Sequence, residues 1–173
     1  MEKQVFITRE LQNYSSVTQA IKESGFDFSY KILEQKVIEA NKIISSKLGI
    51  PIASKVFSFK KLRIVEGKPR TIEHIYIDYN KVKGIETANL SNTSFYYYLK
   101  ENYDIEVKKD TEEIFIVRST DEEAKLLNID KNSEVIMVSG SSYLENDIPL
   151  EYFELISVYD FFRFRSVSKY ESE

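Results

Sequence analysis

The stretch VFSFKKLRIVEGKPRTIEHIYI, Val56–Ile77, decides the fold. Its first half is a β-run that ends in Lys60, Lys61 and Arg63. It turns at Glu66-Gly67-Lys68-Pro69 and returns as a second β-run that carries Glu73. Two runs rich in β-branched and aromatic residues around a short glycine turn read as a β-hairpin. The stretch VIMVSGSSYLENDIPLEYFELISV, Val135–Val158, repeats the plan, turning at Glu145-Asn146-Asp147-Ile148-Pro149 and returning with Glu151. Charged residues inside apolar strands cost several kcal/mol each when desolvated and unpaired. Two readings follow: edge-strand charges facing water, or a sheet face built to hold a small polar ligand.

Outward from the hairpins, caps and periodicity mark the other elements. Residues 1–13 read as a tail or linker. Tyr14-Ser15-Ser16-Val17-Thr18 supplies hydroxyl caps for a helix closed by Gly25. Phe26, Phe28, Tyr30 and Ile32 alternate along a long strand to about Ala40. Asn41 caps a helix closed by Gly49, and a further helix spans about Thr93–Lys100. Glu106–Ser119 is a strand, and Thr120 with Glu123 forms a capping box for the next helix. The total is about six strands and four short helices, an α+β fold with an antiparallel sheet. Phe26–Tyr79 and Glu106–Tyr159 share one order of elements, which predicts a pseudo-symmetric sheet with a cleft between its halves.

Composition narrows the chemistry. A length of 173 residues suits one domain. The net charge of -4 argues against a nucleic-acid-binding surface. No apolar run approaches the roughly 20 residues that span a bilayer, and no signal-peptide pattern opens the chain. Zero cysteines fit a reducing cytoplasm, and one histidine rules out a multi-His or Cys zinc site. That histidine, His74, reads as a satisfied mid-strand residue rather than half of a catalytic pair. Five glycines include no phosphate-cradling loop. No cofactor or metal is expected.

Lys61 and Arg63 stand on one face of a strand, about 7 Å apart, where they can straddle a phosphate or carboxylate. On their own they read more simply as an exposed basic edge. Glu73 and Glu151 follow the two hairpin prolines and can accept hydrogen bonds from hydroxyls or an amine; the plain alternative is surface charge. Ser94 opens the helix FYYYLK, so its hydroxyl and the helix N–H groups form an anion site or a simple cap. Ser16 is the same case at the first helix.

Read together, YSSVTQAIKESGF, EANKIISSKLGI, KKLRIVEGKPRTIEHIYI, NTSFYYYL, TDEEAKLLNIDKNSEVIMV and ENDIPLEYFELISVYDFFRF resemble, in order and spacing, the UTRA domain of HutC-type GntR-family bacterial regulators. The resemblance implies a six-stranded antiparallel sheet with flanking helices in a chorismate lyase-like fold over residues 14–168. It also implies that residues 1–13 are a linker remnant and that the winged-helix DNA-binding domain lies outside this sequence. It carries over an Arg-x-Arg phosphate grip to Lys61 and Arg63, assisting hydroxyls to Ser16, Ser94 and Tyr96, and sugar-holding glutamates to Glu73 and Glu151. A family tyrosine on the last strand falls at Ser157. Lysine at position 61 keeps the charge but loses the guanidinium fork. The implied protein is a cytoplasmic homodimeric repressor domain, not an enzyme. It senses a small anionic effector, a sugar phosphate, and meets operator DNA only through the other domain. The alternatives are a lyase-like enzyme gripping a carboxylated substrate through Arg63 and Glu73, and a stand-alone binding module.

Overall fold

A computed structural model describes residues 4–13, 16–91 and 93–170. Along the chain these form β1 (Ile7–Glu10), α1 (Val17–Glu23), β2 (Phe28–Glu39), α2 (Lys42–Leu48), β3 (Lys55–Val65), β4 (Lys68–Asp78), α3 (Phe95–Tyr103), β5 (Lys109–Arg118), α4 (Asp121–Leu127), β6 (Glu134–Tyr143), β7 (Pro149–Val158) and β8 (Phe162–Arg165). Short 3-10 turns occupy Tyr79–Lys81, Ile85–Thr87 and Glu145–Asp147.

Local chemistry explains the boundaries. Ser16, Asn41 and Thr120 accept hydrogen bonds from the backbone N–H groups of Gln19, Ile44 and Glu123 at 3.2, 2.9 and 3.2 Å. Glu123 answers by accepting from the Thr120 N–H at 2.8 Å, which completes the predicted capping box. Gly49 closes α2 in the left-handed region, with φ 64°. The β3–β4 turn is tighter than its four-residue reading. Only Glu66 and Gly67 take positive φ, 50° and 73°, the pairing of a two-residue hairpin turn that matches strand twist. Lys68 and Pro69 already belong to β4, and a register shift between Arg63 and Ile64 absorbs the proline.

The six long strands form one antiparallel sheet in the order β2-β3-β4-β7-β6-β5. Each half contributes a strand, a helix and a hairpin, and the halves join where β4 meets β7, with Glu73 opposite Leu155. This is the predicted pseudo-symmetry. The strand count differs from the expected six. Ile7–Glu10, read as tail, pairs in parallel with Phe162–Arg165 as a second, two-stranded sheet. Ile7 is fully buried in the main apolar cluster with Val17, Ile21 and Phe161. Tyr14 and Ser15 of the helix lead-in, and Asn92 before α3, lie outside the described residues.

Register assigns the faces. Phe57, Phe59, Lys61 and Arg63 of β3 align with Ile77, Ile75, Glu73 and Thr71 of β4. The same face continues through Glu151, Phe153, Leu155 and Ser157 of β7 to Ser142, Gly140, Val138 and Ile136 of β6. The helix α3 and the 79–90 segment cover one end of it, where Phe95, Leu99, Val82 and Ile85 pack on Phe57, Phe59, Ile75 and Ile77. Gly140 is required: a Cβ there would sit 2.3 Å from the Thr111 carbonyl oxygen and 2.5 Å from the Phe153 ring. The opposite face carries α2, packed through Ala40, Ile44 and Leu48 on Val56 and Tyr152. No helix among the described residues is long and apolar enough to cross a membrane.

Candidate functional site

A cavity of about 40 Å³ lies on the first sheet face, enclosed by Ser16–Thr18 of the α1 start, Ser94–Tyr96 of the α3 start, Lys61, Arg63 and Glu73 of the central hairpin, and Asp110, Glu112 and Ser142 of the far half. An outer groove of about 290 Å³ adjoins it and shares Thr18, Lys61, Ser94 and Phe95. The segment leading into α3 is held in place from below. The Tyr30 hydroxyl donates to the carbonyls of Leu90 and Thr93, the latter at 2.6 Å, and so fixes the residues leading into α3. Gln35 does the same one turn earlier, donating to the carbonyls of Ile85, Glu86 and Ala88 at 3.1, 3.1 and 2.8 Å.

Lys61 and Arg63 are buried, not edge charges: they are 6% and 1% exposed. Their compensation is a single carboxylate. Glu73 lies 3.0 Å from the Lys61 ammonium and 3.4 Å from the Arg63 guanidinium. Arg63 also donates to Thr18 Oγ1 at 3.1 Å and Thr71 Oγ1 at 3.3 Å, while its Nε has no partner. The rings of Tyr30, Phe59 and Phe95 stand 5.4, 5.5 and 5.9 Å from the Lys61 ammonium, a partial aromatic cage. Burial pushes the Lys61 ammonium below its ordinary pKa, and Arg63 adds to this against the pull of Glu73. Burial works the other way on Glu73, yet Lys61 and Arg63 outweigh it and hold that carboxyl below the usual range. Lys61 and Arg63 therefore share one ionised carboxylate in direct contact, with Asp110 and Glu112 across the cavity.

Glu151 stands one bond behind the cavity wall. Its Oε1 accepts from the Tyr96 hydroxyl at 2.6 Å and from the Ser142 hydroxyl at 2.8 Å, and its Oε2 is buried without a partner. Burial pushes its carboxyl up to about 7, opposed by the two hydroxyls and reinforced by the charge of Glu73. Ser94 heads α3 but makes no capping hydrogen bond with its side chain, whereas Ser16 caps α1. Ser157 is not brought to the wall. It is fully buried opposite Thr71, and its hydroxyl donates to the Val158 carbonyl at 3.0 Å.

Five polar cavity residues escaped the sequence reading, Ser142 among them. Arg9 reaches in from β1 and pairs with Glu112 of β5 at 3.1 Å. Asp110 stands beside them, its carboxyl raised by burial against the pull of Arg9. Thr18 supplies the hydroxyl on Arg63. Alternation in KDTEE places Asp110 and Glu112 on one face, the only available signal for this acidic wall; no pattern marks Arg9.

His74 lies on the other face, as a satisfied structural histidine. Ser58 Oγ is 2.7 Å from its Nε2 and the Tyr76 hydroxyl 3.0 Å from its Nδ1, with Glu34 3.5 Å from the same Nε2. Burial lowers its pKa. A tyrosine occupies the nitrogen that a triad carboxylate would orient, so this is no nucleophile–base–acid relay.

The profile described as the UTRA domain matches residues 23–163. The chain belongs to the UTRA domain family. The uncharacterized HTH-type transcriptional regulator YurK of Bacillus subtilis is 24% identical over 144 residues, which is 83% of this chain and 60% of that protein. A probable fructoselysine utilization operon transcriptional repressor of Escherichia coli O157:H7 is 28% identical over 140 residues, 76% of this chain and 58% of that protein. The crystal structure of the effector domain of PhnF from Mycobacterium smegmatis superposes with a TM-score of 0.86 at 18% identity, covering 95% of this chain and all of that one. At that identity the likeness speaks for the fold alone. This UTRA domain spans about 60% of the length of the curated relatives it matches. Of the UTRA positions carried over by resemblance, the fold brings Ser16, Lys61, Arg63, Glu73, Ser94 and Tyr96 to one cavity, sets Glu151 behind it, and leaves Ser157 outside.

Proposed function

We propose that this UTRA domain is the effector-sensing part of a GntR/HutC-type transcriptional repressor and that its cavity, together with the adjoining groove of about 290 Å³, holds a small anionic effector, a sugar phosphate. The observation that carries this reading is that Lys61 and Arg63 are both buried at the cavity and share one contacting carboxylate, Glu73. A desolvated, uncompensated ion costs several kcal/mol, and an anion entering between the hairpin and the α3 start removes that cost. The unpartnered Arg63 Nε and the uncapped start of α3 are donors for such a group. Glu73 and Tyr96 then face the polar remainder, with Glu151 holding the Tyr96 hydroxyl from behind. The fructoselysine operon repressor among the relatives supports an effector of sugar type.

In this reading the domain is a cytoplasmic sensor and not an enzyme, and the relatives, named as transcriptional regulators, support that. It works as a homodimer, because operator symmetry mirrors protein symmetry. Operator DNA is met by a domain other than this one, in keeping with its net charge of -4. Occupancy of the cavity shifts the population of dimer geometries and with it the spacing of the DNA-binding heads. A thermal-shift panel tests the ligand class, since a ligand bound only by the native state raises stability by RT ln(1 + [L]/Kd). Phosphorylated sugars are expected to raise the melting temperature and their unphosphorylated parents are not. A panel in which aryl carboxylates stabilise and sugar phosphates do nothing would contradict the reading.

A further inference from the structure

Two buried glutamates stand at this cavity, and their surroundings drive them apart. Glu73 touches the Lys61 ammonium at 3.0 Å and the Arg63 guanidinium at 3.4 Å, and the two cations keep it ionised. Both hydrogen bonds of Glu151 come from hydroxyls instead, Tyr96 at 2.6 Å and Ser142 at 2.8 Å. They land on the same oxygen, Oε1, and leave Oε2 buried without a partner. The cross-strand row shows why. Glu151 lies between Ile77 of β4 and Ser142 of β6, with Asp110 of β5 beyond Ser142. A buried carboxylate oxygen with no hydrogen bond is costly, and a proton on the group removes the charge and most of that cost. Titratable pairs driven apart in this way mark the position in a site that carries a proton.

We propose that Glu151 is a positioning residue that acts on the effector through Tyr96: as a carboxylate it takes the Tyr96 proton, and as a carboxylic acid it turns that proton toward the cavity. This rests on the reading of the cavity as an effector site and adds a proton to its binding equilibrium. Tyr96 lines the cavity and Glu151 stands behind it. A tyrosine hydroxyl has one proton to give. While Glu151 is ionised, that proton is committed to Oε1, and the Tyr96 oxygen can only accept from a ligand. Once Glu151 is protonated, its own O–H donates to the Tyr96 oxygen. The Tyr96 O–H then donates to a ligand oxygen that carries no proton, such as a carbonyl, ring or phosphoryl oxygen. The acid form therefore suits an anionic, oxygen-rich effector, and the incoming negative charge favours it further. Binding takes up a proton.

The groups that face Glu151 set the pH window. Burial favours the acid form most strongly, and the charge of Glu73 on β4 adds to it. The hydroxyls of Tyr96 on α3 and Ser142 on β6 oppose it, as does Lys61 on β3, and the carboxyl settles at about 7. Asp110 of β5 is also raised by burial, against the pull of Arg9. The acid form of Glu151 thus predominates below about pH 7 and the carboxylate above it. A ligand that selects the acid form has its affinity reduced by the fraction of that form, which is about a tenfold loss from pH 6 to pH 8.

Phosphate esters themselves titrate at about pH 6, so glucose 6-phosphate is paired with glucose 6-sulfate, whose charge is constant over this range. Calorimetric titration of the unaltered chain is expected to show affinity for the sulfate falling about tenfold from pH 6 to pH 8. Proton uptake is expected to appear as a binding heat that depends on the ionisation enthalpy of the buffer. Glu151→Gln, which cannot titrate, and Tyr96→Phe, which removes the shared hydroxyl, are each expected to bind the sulfate with an affinity flat in pH. A fall that survives in Tyr96→Phe would overturn the relay, because Glu151 would then act by its charge alone. A fall that survives in Glu151→Gln would overturn it too and move the titration to another group such as Asp110. A flat profile in the unaltered chain would overturn the proposal and leave the sugar-phosphate site standing. No binding of either ester at any pH would overturn both.

Discussion

Glu151 is the most informative single residue, because its carboxyl is both fully buried and half satisfied. Folding raises it from the ordinary 4.5 to about 7, so between those values the native state holds a proton that the unfolded chain has released. The associated stability is complete below about pH 4.5 and is lost as pH rises through about 7, a difference of about 3 kcal/mol. Glu151→Gln removes the titration and keeps an oxygen for Tyr96 and Ser142. Melting temperatures measured from pH 5 to pH 8 are expected to show the variant gaining on the unaltered protein as pH rises; parallel curves would mean that Glu151 does not titrate in this range. The sequence made this residue visible as a charge inside an apolar strand. It could not show the Tyr96 hydroxyl, which arrives from a helix 55 positions away. Ser157 shows the reverse error. Its place on a strand was legible, but Thr71 opposite it on β4 and the Val158 carbonyl absorb it into the sheet.

At the scale of elements, helix starts were the most legible features because a cap is written in four adjacent residues. Three of the four caps close with a side-chain hydrogen bond, at Ser16, Asn41 and Thr120. Ser94 does not, and in the proposed function its hydroxyl serves the ligand instead. Thr120→Ala is expected to cost about 1 kcal/mol in urea unfolding. Ser94→Ala is expected to stay within about 0.5 kcal/mol of the unaltered protein while weakening the binding of a sugar phosphate. Equal stability losses in the two variants would make Ser94 an ordinary cap. The β1–β8 pair was not legible. Four-residue strands carry too little alternation to register, and Ile7 finds Phe162 across most of the chain. Arg9 was missed for the same reason, since its role depends on that pairing. The six-stranded sheet, by contrast, was readable from two hairpins with glycine or proline turns and long alternating flanks.

For the molecule as a whole, the repeated order of elements fixed the architecture: two strand–helix–hairpin units meet at β4 and β7 and leave their charged residues under α1 and α3. With a net charge of -4, the isolated chain is expected to show no sequence-selective binding to duplex DNA at physiological salt in an anisotropy titration; nanomolar selective binding would contradict the assignment of DNA recognition to another domain. The central claim is that Lys61 and Arg63 form a buried anion site. It is tested most directly by calorimetric titration of the unaltered protein and Arg63→Gln with a matched sugar and sugar phosphate. The ratio of the two affinities within each protein cancels general damage from the substitution. Loss of a charge-assisted bond of about 1.5–3 kcal/mol predicts that the preference for the phosphorylated ligand falls about ten- to a hundredfold in Arg63→Gln. An unchanged ratio would contradict the anion site and return Arg63 to a purely structural role.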